Sequence, residues 1–205
     1  YVGNFIIFNA RHPQWQDERV RKAFLYGIDR QAIVDEIYQG SAVVAPCADP
    51  YDTYWPADAD PYAYDPEKAK KLLAEAGFDT SKEYENITYY TGQLANDVMA
   101  AFQAYLGEIG VKTTPRFMEP AAWRAIVEGD LNYDIAYRGM GAGPAEFPDR
   151  FYVPDLYPTL EGGYYGIDDP QLVDLITAMN ATTNFEDYKT ARTAVCSYMN
   201  KTALQ

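Results

Sequence analysis

The chain has 205 residues, of which 48% are hydrophobic and 23% are charged. This composition is typical of a globular protein rather than of a disordered one. The formal net charge of −13 argues against binding to nucleic acid or to anionic lipid, because both partners require clustered Lys and Arg. No apolar run approaches the roughly 20 residues that a membrane-spanning helix needs.

Hydrophobic patterns predict a strand and two linked helices at the start of the chain. Residues 2–8 are rich in β-branched and aromatic side chains, which favours a strand. Apolar residues within 17–28 recur on one helical face. Asp29 is the expected N-cap of the second helix, and Gly40 is expected to end it.

A long segment without periodicity, residues 41–64, follows these helices and combines prolines with aromatic residues. A loop of this length is usually functional or a disordered linker, and its aromatic content argues against disorder. Two interpretations stay open: the loop packs flat on the domain surface, or it faces a ligand or a second lobe. In the second case Tyr54 and Trp55 are candidate ligand contacts.

Helices and strands alternate through the rest of the chain. A helix is predicted over 64–78, with Asp65 as its N-cap and Gly77 at its end. The further predicted elements are strands at 86–92, 111–118 and 133–139, and helices at 96–110, 120–129, 168–180 and 184–202. This alternation is typical of parallel βαβ units. The predicted fold class is α/β, with a mixed, partly parallel sheet flanked by helices in one domain over residues 1–205.

The loop after the strand at 133–139 is the candidate ligand-binding loop. Ligands of open α/β sheets bind where the carboxyl ends of strands meet their loops, and here the sequence reads GMGAGPAEFPD. Glycines at a strand end allow a tight turn or a close approach to a ligand. The prolines exclude the helix that should follow a dinucleotide-binding loop.

Motifs for catalysis and for cofactor binding are missing from the sequence. His12 is the sole histidine and precedes a proline in a turn-like stretch, so a solvated loop position is favoured over a catalytic or metal-binding one. No nucleophile elbow and no phosphate-binding loop is present.

Cys47 and Cys196 lack the spacing of metal ligands, and they form either one disulfide in an oxidising compartment or two buried thiols.

Four stretches are distinctive by their order and spacing: DERVRKAFLYGIDRQAIVDEIYQG, YAYDPEKAKKLLAEAGF, LGEIGVK and YDIAYRGMGAG. Together they resemble the extracellular solute-binding proteins of ABC transporters, in the family 5 class that carries oligopeptides, dipeptides and nickel. The resemblance covers essentially the whole chain. It implies the large carboxyl-terminal lobe of a two-lobed protein with a class II periplasmic-binding-protein-like fold, without the amino-terminal lobe.

The resemblance also implies a function and a location. The protein is expected to capture a peptide or peptide-like solute between its two lobes and to deliver it to a membrane permease. It is expected outside the cytoplasmic membrane, either in the periplasm or lipid-anchored. Neither catalysis nor a cofactor is implied.

Specific ligand contacts follow from the loop that resembles the family's binding loop. In peptide-binding members this loop often reads Gly-Trp-x-Ala-Asp, and its aspartate anchors the free amino group of the peptide. Here Met140 replaces the aromatic residue and Gly143 falls where the aspartate would be. The substitution argues against recognition of a free amino group, unless Glu146 or Asp149 supplies the charge.

Some members also carry a basic residue on the preceding strand for the peptide carboxylate. Arg138 matches that residue one position late, and side chains alternate between the faces of a strand, so Tyr137 is the alternative contact. The complete set of predicted ligand contacts is Tyr54, Trp55, Tyr137, Arg138, Met140, Gly141, Gly143, Glu146, Phe147 and Asp149.

Two other functions are weighed against peptide binding. The missing aspartate and the 19 tyrosines favour a non-peptide solute such as an oligosaccharide, because aromatic rings pack well on amphipathic solutes. A carboxylate-dependent hydrolase has less support, since the acidic residues form no recognisable pair. A nickel ligand is disfavoured by the single histidine.

Overall fold

The computed structural model describes residues 3–140, 166–167 and 169–204. In this part of the chain, four strands form one sheet in the order β1-β4-β2-β3: β1 (Gly3–Phe8), β2 (Glu83–Thr88), β3 (Lys112–Phe117) and β4 (Ile135–Met140). Strand β2 pairs in parallel with both β3 and β4. The amide of Asn9, just beyond β1, donates to the carbonyl of Asp134, just before β4, at 3.1 Å. This contact sets β1 antiparallel to β4, so the sheet is mixed and the predicted fold class is confirmed.

The described residues form α-helices, several of which begin at a side-chain N-cap. These helices are α1 (Pro13–Gln16), α2 (Glu18–Gly27), α3 (Arg30–Ala32), α4 (Pro66–Ala76), α5 (Gln93–Glu108), α6 (Pro120–Arg124), α7 (Pro170–Asn180) and α8 (Phe185–Thr202). As predicted, the carboxylates of Asp29 and Asp65 accept hydrogen bonds from backbone amides in the first turns of α3 and α4. Gly77 ends α4 in the left-handed conformation, with φ of 66°. None of these helices is long and apolar enough to cross a membrane.

Two of the short helices continue as π-helical turns, which the sequence pattern did not reveal. Helix α3 runs into Ile33–Ile37, and helix α6 runs into Ala125–Asp130. Periodicity alone predicts a regular helix at both places, because the apolar residues still fall on one side. Single π-turns within helices occur often at functional sites.

The strand predicted at 86–92 was placed too late, because β2 spans Glu83–Thr88. Its first residues look polar, yet Tyr84 is buried while Glu85 pairs with Arg116 of β3 across the sheet at 3.2 Å. Beyond Thr88 the chain leaves the sheet. The backbone amide of Tyr90 donates a hydrogen bond to the Thr88 hydroxyl at 3.1 Å instead of pairing with a neighbouring strand. The two tyrosines after Thr88 therefore belong to a loop.

The chain divides into two compact units. One, here called the sheet unit, comprises Ile6–Val44 and Tyr62–Arg138. Its main core lies between helices and one face of the sheet, where apolar side chains of α2, α4 and α5 meet those of β2 and β4. Large members of this core include Trp15, Phe24, Tyr26, Tyr62, Phe78, Tyr84, Met99, Phe102, Leu106 and Tyr137.

The other unit, here called the disulfide unit, comprises Tyr1–Phe5, Ala45–Pro61 and Gly139–Gln205. Helices α7 and α8 pack on each other in it. The segment Ala45–Pro61 has one short 3-10 turn, Asp52–Tyr54, as its regular structure. A disulfide between Cys47 and Cys196 joins this segment to α8, with the two Cα atoms 5.5 Å apart. This pairing is the first of the two alternatives that the sequence left open.

Candidate functional site

The carboxyl ends of the parallel strands β2 and β4 lie side by side in the sheet unit. Thr88, the last residue of β2, is in register with Tyr137 of β4. Tyr89 and Tyr90 therefore leave the sheet beside the end of β4. This edge is where open α/β sheets bind their ligands, and it is the candidate site.

Aromatic side chains form a continuous row at this edge. We call Trp123, Tyr89, Tyr90, Tyr137 and Tyr38 the aromatic row. Ring centroids are 5.2 Å apart for Trp123 and Tyr89, 4.9 Å for Tyr89 and Tyr90, and 5.5 Å for Tyr90 and Tyr137. The row ends at a hydrogen bond of 3.0 Å between the hydroxyls of Tyr137 and Tyr38. Tilted and edge-on contacts of this kind are favourable arrangements of aromatic rings.

Both ends of the aromatic row are placed by the helices that end in π-turns. Tyr38 directly follows the turn Ile33–Ile37, and its amide donates to the Ile33 carbonyl at 3.1 Å. Trp123 belongs to α6, just before the turn Ala125–Asp130. The two irregular turns therefore bring side chains from distant parts of the sequence to the ends of β2 and β4.

Burial differs along the aromatic row. Trp123 and Tyr137 have exposed fractions of 1% and 4%, whereas Tyr38, Tyr89 and Tyr90 are half-buried. Burial raises the pKa of the Tyr137 hydroxyl far above its ordinary value, and the hydrogen bond to Tyr38 adds to that increase. Tyr137 is therefore a neutral hydroxyl near pH 7. The buried side chains of Trp123 and Tyr137 hold the half-buried tyrosines in place, so the tyrosine rings form a surface for a ligand before it binds.

Arg138 points away from the core face of β4. Ile135 and Tyr137 both belong to the main core of the sheet unit, so alternation turns Arg138 to the other face. There its guanidinium carbon lies 5.0 Å from the centroid of the Trp123 ring, within the range of a cation–π contact. The sequence-based reasoning that Tyr137 and Arg138 face opposite ways thus agrees with the geometry.

The predicted ligand contacts fall into three groups. Tyr137 and Arg138 lie at the carboxyl edge just described, and Met140 is the last residue of β4. Tyr54 and Trp55 lie in the disulfide unit. Gly141, Gly143, Glu146, Phe147 and Asp149 lie outside the described residues. The role of each of these ten residues in ligand binding stays a prediction.

Tyr54 and Trp55 are both engaged in the packing of their own unit. Tyr54 is 7% exposed, and its ring centroid lies 4.3 Å from the guanidinium carbon of Arg192. The indole N–H of Trp55 donates to the Asp49 carbonyl at 2.7 Å. The aromatic residues of the segment Ala45–Pro61 thus hold the segment in place within the disulfide unit.

His12 lies at the opposite end of β4 from the aromatic row. Its Nδ1 is 3.5 Å from a carboxylate oxygen of Asp134, the residue that precedes β4. His12 also occupies the cap position before α1. Among the described residues, no three or more His, Cys, Asp or Glu side chains are grouped so that they could hold a metal ion.

Sequence reasoning missed Tyr38, Tyr89, Tyr90 and Trp123. Extending the predicted strand to residue 92 made Tyr89 and Tyr90 look like strand residues rather than loop residues at a strand end. A signal was available, because two adjacent tyrosines followed by Thr-Gly break the alternation of a half-buried strand. Tyr38 and Trp123 carried no such signal, since their approach to β4 depends on the tertiary fold.

Comparison with known proteins gives one consistent family. The family model of bacterial extracellular solute-binding proteins, family 5, matches residues 1–159. A Brucella ovis protein named as an ABC transporter peptide-binding protein is 38% identical over 151 residues, which are 70% of this chain and 29% of that protein. Heme-binding protein A of Haemophilus influenzae is 34% identical over 160 residues, which are 74% of this chain and 28% of that protein.

The fold has solved counterparts as well. The oligopeptide-binding protein AppA of Bacillus subtilis, solved in complex with a nonapeptide, matches 98% of this chain with a TM-score of 0.83 at 20% identity. This chain covers 43% of that structure. The chain therefore spans less than a third of the length of the two sequence relatives and under half of the structural one.

Proposed function

Since the chain belongs to the bacterial extracellular solute-binding proteins of family 5, we propose that residues 1–205 form one lobe of a two-lobed receptor for an ABC importer. The lobe captures a peptide or peptide-like solute together with a second lobe. The closed receptor then delivers the solute to a membrane permease. No chemical step on the solute is part of this proposal.

The observation that carries the proposal is the position of the aromatic row. Its three half-buried tyrosines, Tyr38, Tyr89 and Tyr90, lie where parallel strands end and where open α/β sheets bind ligands. Ligand pockets combine apolar and aromatic walls with a few polar groups. The hydroxyl pair of Tyr38 and Tyr137 and the guanidinium of Arg138 supply such polar groups beside the rings.

The disulfide supports a location outside the cytoplasm. Disulfides persist in oxidising compartments and are rare where thiols are kept reduced. The bond between Cys47 and Cys196 is therefore consistent with a protein that works in the periplasm or anchored by lipid to the outer face of the membrane.

An oligosaccharide is the second candidate ligand, and the same aromatic row favours it. Sugar rings pack their apolar faces on tyrosine and tryptophan rings, and hydroxyls such as that of Tyr38 can bond to sugar hydroxyls. Peptides are preferred because the Brucella relative is named as a peptide-binding protein.

The test is to identify the solute bound by the two-lobed protein that contains this chain. Native mass spectrometry of the purified protein, followed by release and sequencing of the bound material, should find short peptides. Calorimetry should then give a measurable affinity for synthetic peptides and none for oligosaccharides. Recovery of sugars alone would contradict the peptide assignment.

A second measurement tests whether the chain is only half of the binding site. Residues 1–205 expressed alone should bind the same peptide much more weakly than the two-lobed protein, because one lobe covers one side of the ligand. Equal affinities would contradict the two-lobe proposal.

A further inference from the structure

We propose that the carboxyl edge of the sheet unit makes the receptor selective for peptides that carry an aromatic side chain. The selectivity arises from the half-buried rings of Tyr89 and Tyr90, on which a ligand ring packs. This inference names the substrate class of the proposed function and therefore rests on it.

The first argument is that these rings are both accessible and held in place. Tyr89 contacts Trp123 on one side and Tyr90 on the other, at centroid distances of 5.2 and 4.9 Å. Tyr90 in turn contacts Tyr137 at 5.5 Å, and Tyr137 contacts Phe102 at 5.3 Å. A ring fixed by buried neighbours loses little rotational freedom when a ligand binds, so more of the contact energy appears as affinity.

The second argument is the apolar surface beside the aromatic row. Among the described residues, four large hydrophobic side chains are exposed: Val43, Leu94, Phe117 and Phe185. Two of them lie at this edge. Phe117 is 44% exposed and is the last residue of β3. Leu94 is 49% exposed and lies in the first turn of α5, just after the loop that contains Tyr89 and Tyr90. Exposed apolar side chains at the edge that carries the aromatic row add apolar surface on which a ligand can pack.

The third argument is the scarcity of charge in the described strand-end segments of the sheet unit. The segments 88–94, 117–119 and 137–138 contain just two formally charged residues, Arg138 and Glu119. Their charges have opposite sign, in a chain whose net charge is −13. A charged peptide side chain would lose its water here without an excess of counter-charge, and that loss is costly. An aromatic side chain meets rings and apolar groups instead.

These arguments predict an order of affinities for matched peptides. Transfer of a Phe side chain from water to an apolar surface favours Ala-Phe-Ala over Ala-Ala-Ala by at least about tenfold. The packing of ring on ring contributes about threefold to tenfold of that preference. Ala-Lys-Ala gains neither contribution and should bind no better than Ala-Ala-Ala.

The experiment measures all three peptides by calorimetry on the two-lobed protein, in the wild type and in the double variant Tyr89→Leu/Tyr90→Leu. Leucine keeps an apolar side chain but has no ring. Tyr64→Leu is the matched control, because Tyr64 contacts Glu108 near the end of α5, at the opposite edge of the sheet. Thermal unfolding of each variant accompanies the titrations.

The ratio of the Phe to the Ala affinity within each variant is the decisive quantity. A fold that is merely weakened lowers both affinities together and leaves their ratio unchanged. The proposal expects the ratio to fall by about threefold to tenfold in the double variant and to stay at the wild-type value in Tyr64→Leu.

Three results overturn the proposal, and the third is distinguishable from the first two. Binding of peptides with equal affinity for Phe and Ala, or a Phe preference that survives in the double variant, overturns the aromatic selectivity and leaves the peptide receptor intact. Binding of no peptide at all overturns the proposed function and this inference with it.

Discussion

Arg192 and Asp49 form a buried ion pair between residues 143 positions apart in the sequence. Arg192 Nε donates to one carboxylate oxygen at 2.5 Å, and Arg192 Nη2 donates to the other at 3.1 Å. The two side chains are 0% and 4% exposed. The Tyr188 hydroxyl accepts a further bond from Arg192 Nη1 at 2.9 Å. The pair joins the irregular segment Ala45–Pro61 to helix α8 within the disulfide unit.

Removing the negative charge of this pair should strongly destabilise the protein. Asp49→Asn leaves the Arg192 guanidinium buried without a counter-charge, and such losses cost about 3–5 kcal/mol. Chemical denaturation should show this decrease in the free energy of unfolding. The control Asp58→Ala changes an exposed carboxylate of the same segment and should cost less than about 0.5 kcal/mol. Equal effects of the two substitutions would show that the ion pair is not what stabilises the segment.

Reduction of the disulfide should destabilise the same unit. The bond between Cys47 and Cys196 spans 149 positions, and closing a loop of that length contributes about 5 kcal/mol in the chain-entropy model, although measured values are often smaller. The sequence has just two cysteines, so a reductant acts on this bond alone. Thermal unfolding with and without reductant measures the difference. An unchanged midpoint, or two free thiols in a non-reducing peptide map, would contradict this expectation.

Asp17 should make helix α2 more stable at neutral than at strongly acidic pH. Its carboxylate accepts a hydrogen bond from the backbone amide of Arg19 at 2.9 Å and another from Nη2 of the Arg19 side chain at 2.6 Å. Hydrogen bonding from the Arg19 side chain lowers the pKa of Asp17 below its ordinary value, against a smaller opposing effect of desolvation. Because the folded-state pKa is lowered, this stabilisation is present above the unfolded-state pKa and is lost as the pH falls through the folded-state pKa.

The variant Asp17→Asn isolates the charge, because asparagine also caps helices well. At pH 7 it should be less stable than the wild type by about 0.5 kcal/mol, the usual value of an exposed ion pair. The difference should shrink to zero as the pH drops below the pKa of Asp17. Asp174→Asn, on the exposed face of α7, is the control. A difference between Asp17→Asn and wild type that stays constant with pH would contradict the assigned cause.

Peptide binding should not depend on a free amino terminus. The resemblance of the loop to that of peptide-binding members implies that Gly143 replaces an aspartate, and a buried ammonium without a carboxylate is costly. Acetylation of a peptide ligand should therefore change its affinity for the two-lobed protein by less than about tenfold, or ~1.4 kcal/mol. Gly143→Asp should increase the preference for the free amine. Residue 143 lies outside the described residues, so this prediction rests on the sequence.

Paired free and acetylated peptides in a competition assay provide the measurement. A hundredfold loss on acetylation would show that another carboxylate, such as Glu146, Asp149 or one in the second lobe, anchors the amino group.

Local signals in the sequence were sufficient for most of the elements. Asp65, Pro66 and Gly77 mark the ends of α4, since capping and the left-handed conformation depend on residues a few positions apart. Strand β4 followed from the alternation of helices and strands. The candidate site at its end is a prediction from the rule that ligands bind at the carboxyl ends of parallel strands. The family also followed from ordered motifs.

The tertiary structure alone decided the pairings that join distant residues. Two examples are the disulfide between Cys47 and Cys196 and the hydrogen bond between Tyr38 and Tyr137. Each depends on the positions and orientations that helices, strands and loops adopt relative to one another when the core packs. The π-turn before Tyr38 changes the direction of that side chain without changing the apolar pattern of the sequence. Residue types and spacing determine which side chains can make such contacts, but the choice among partners is made by the packing of the whole chain.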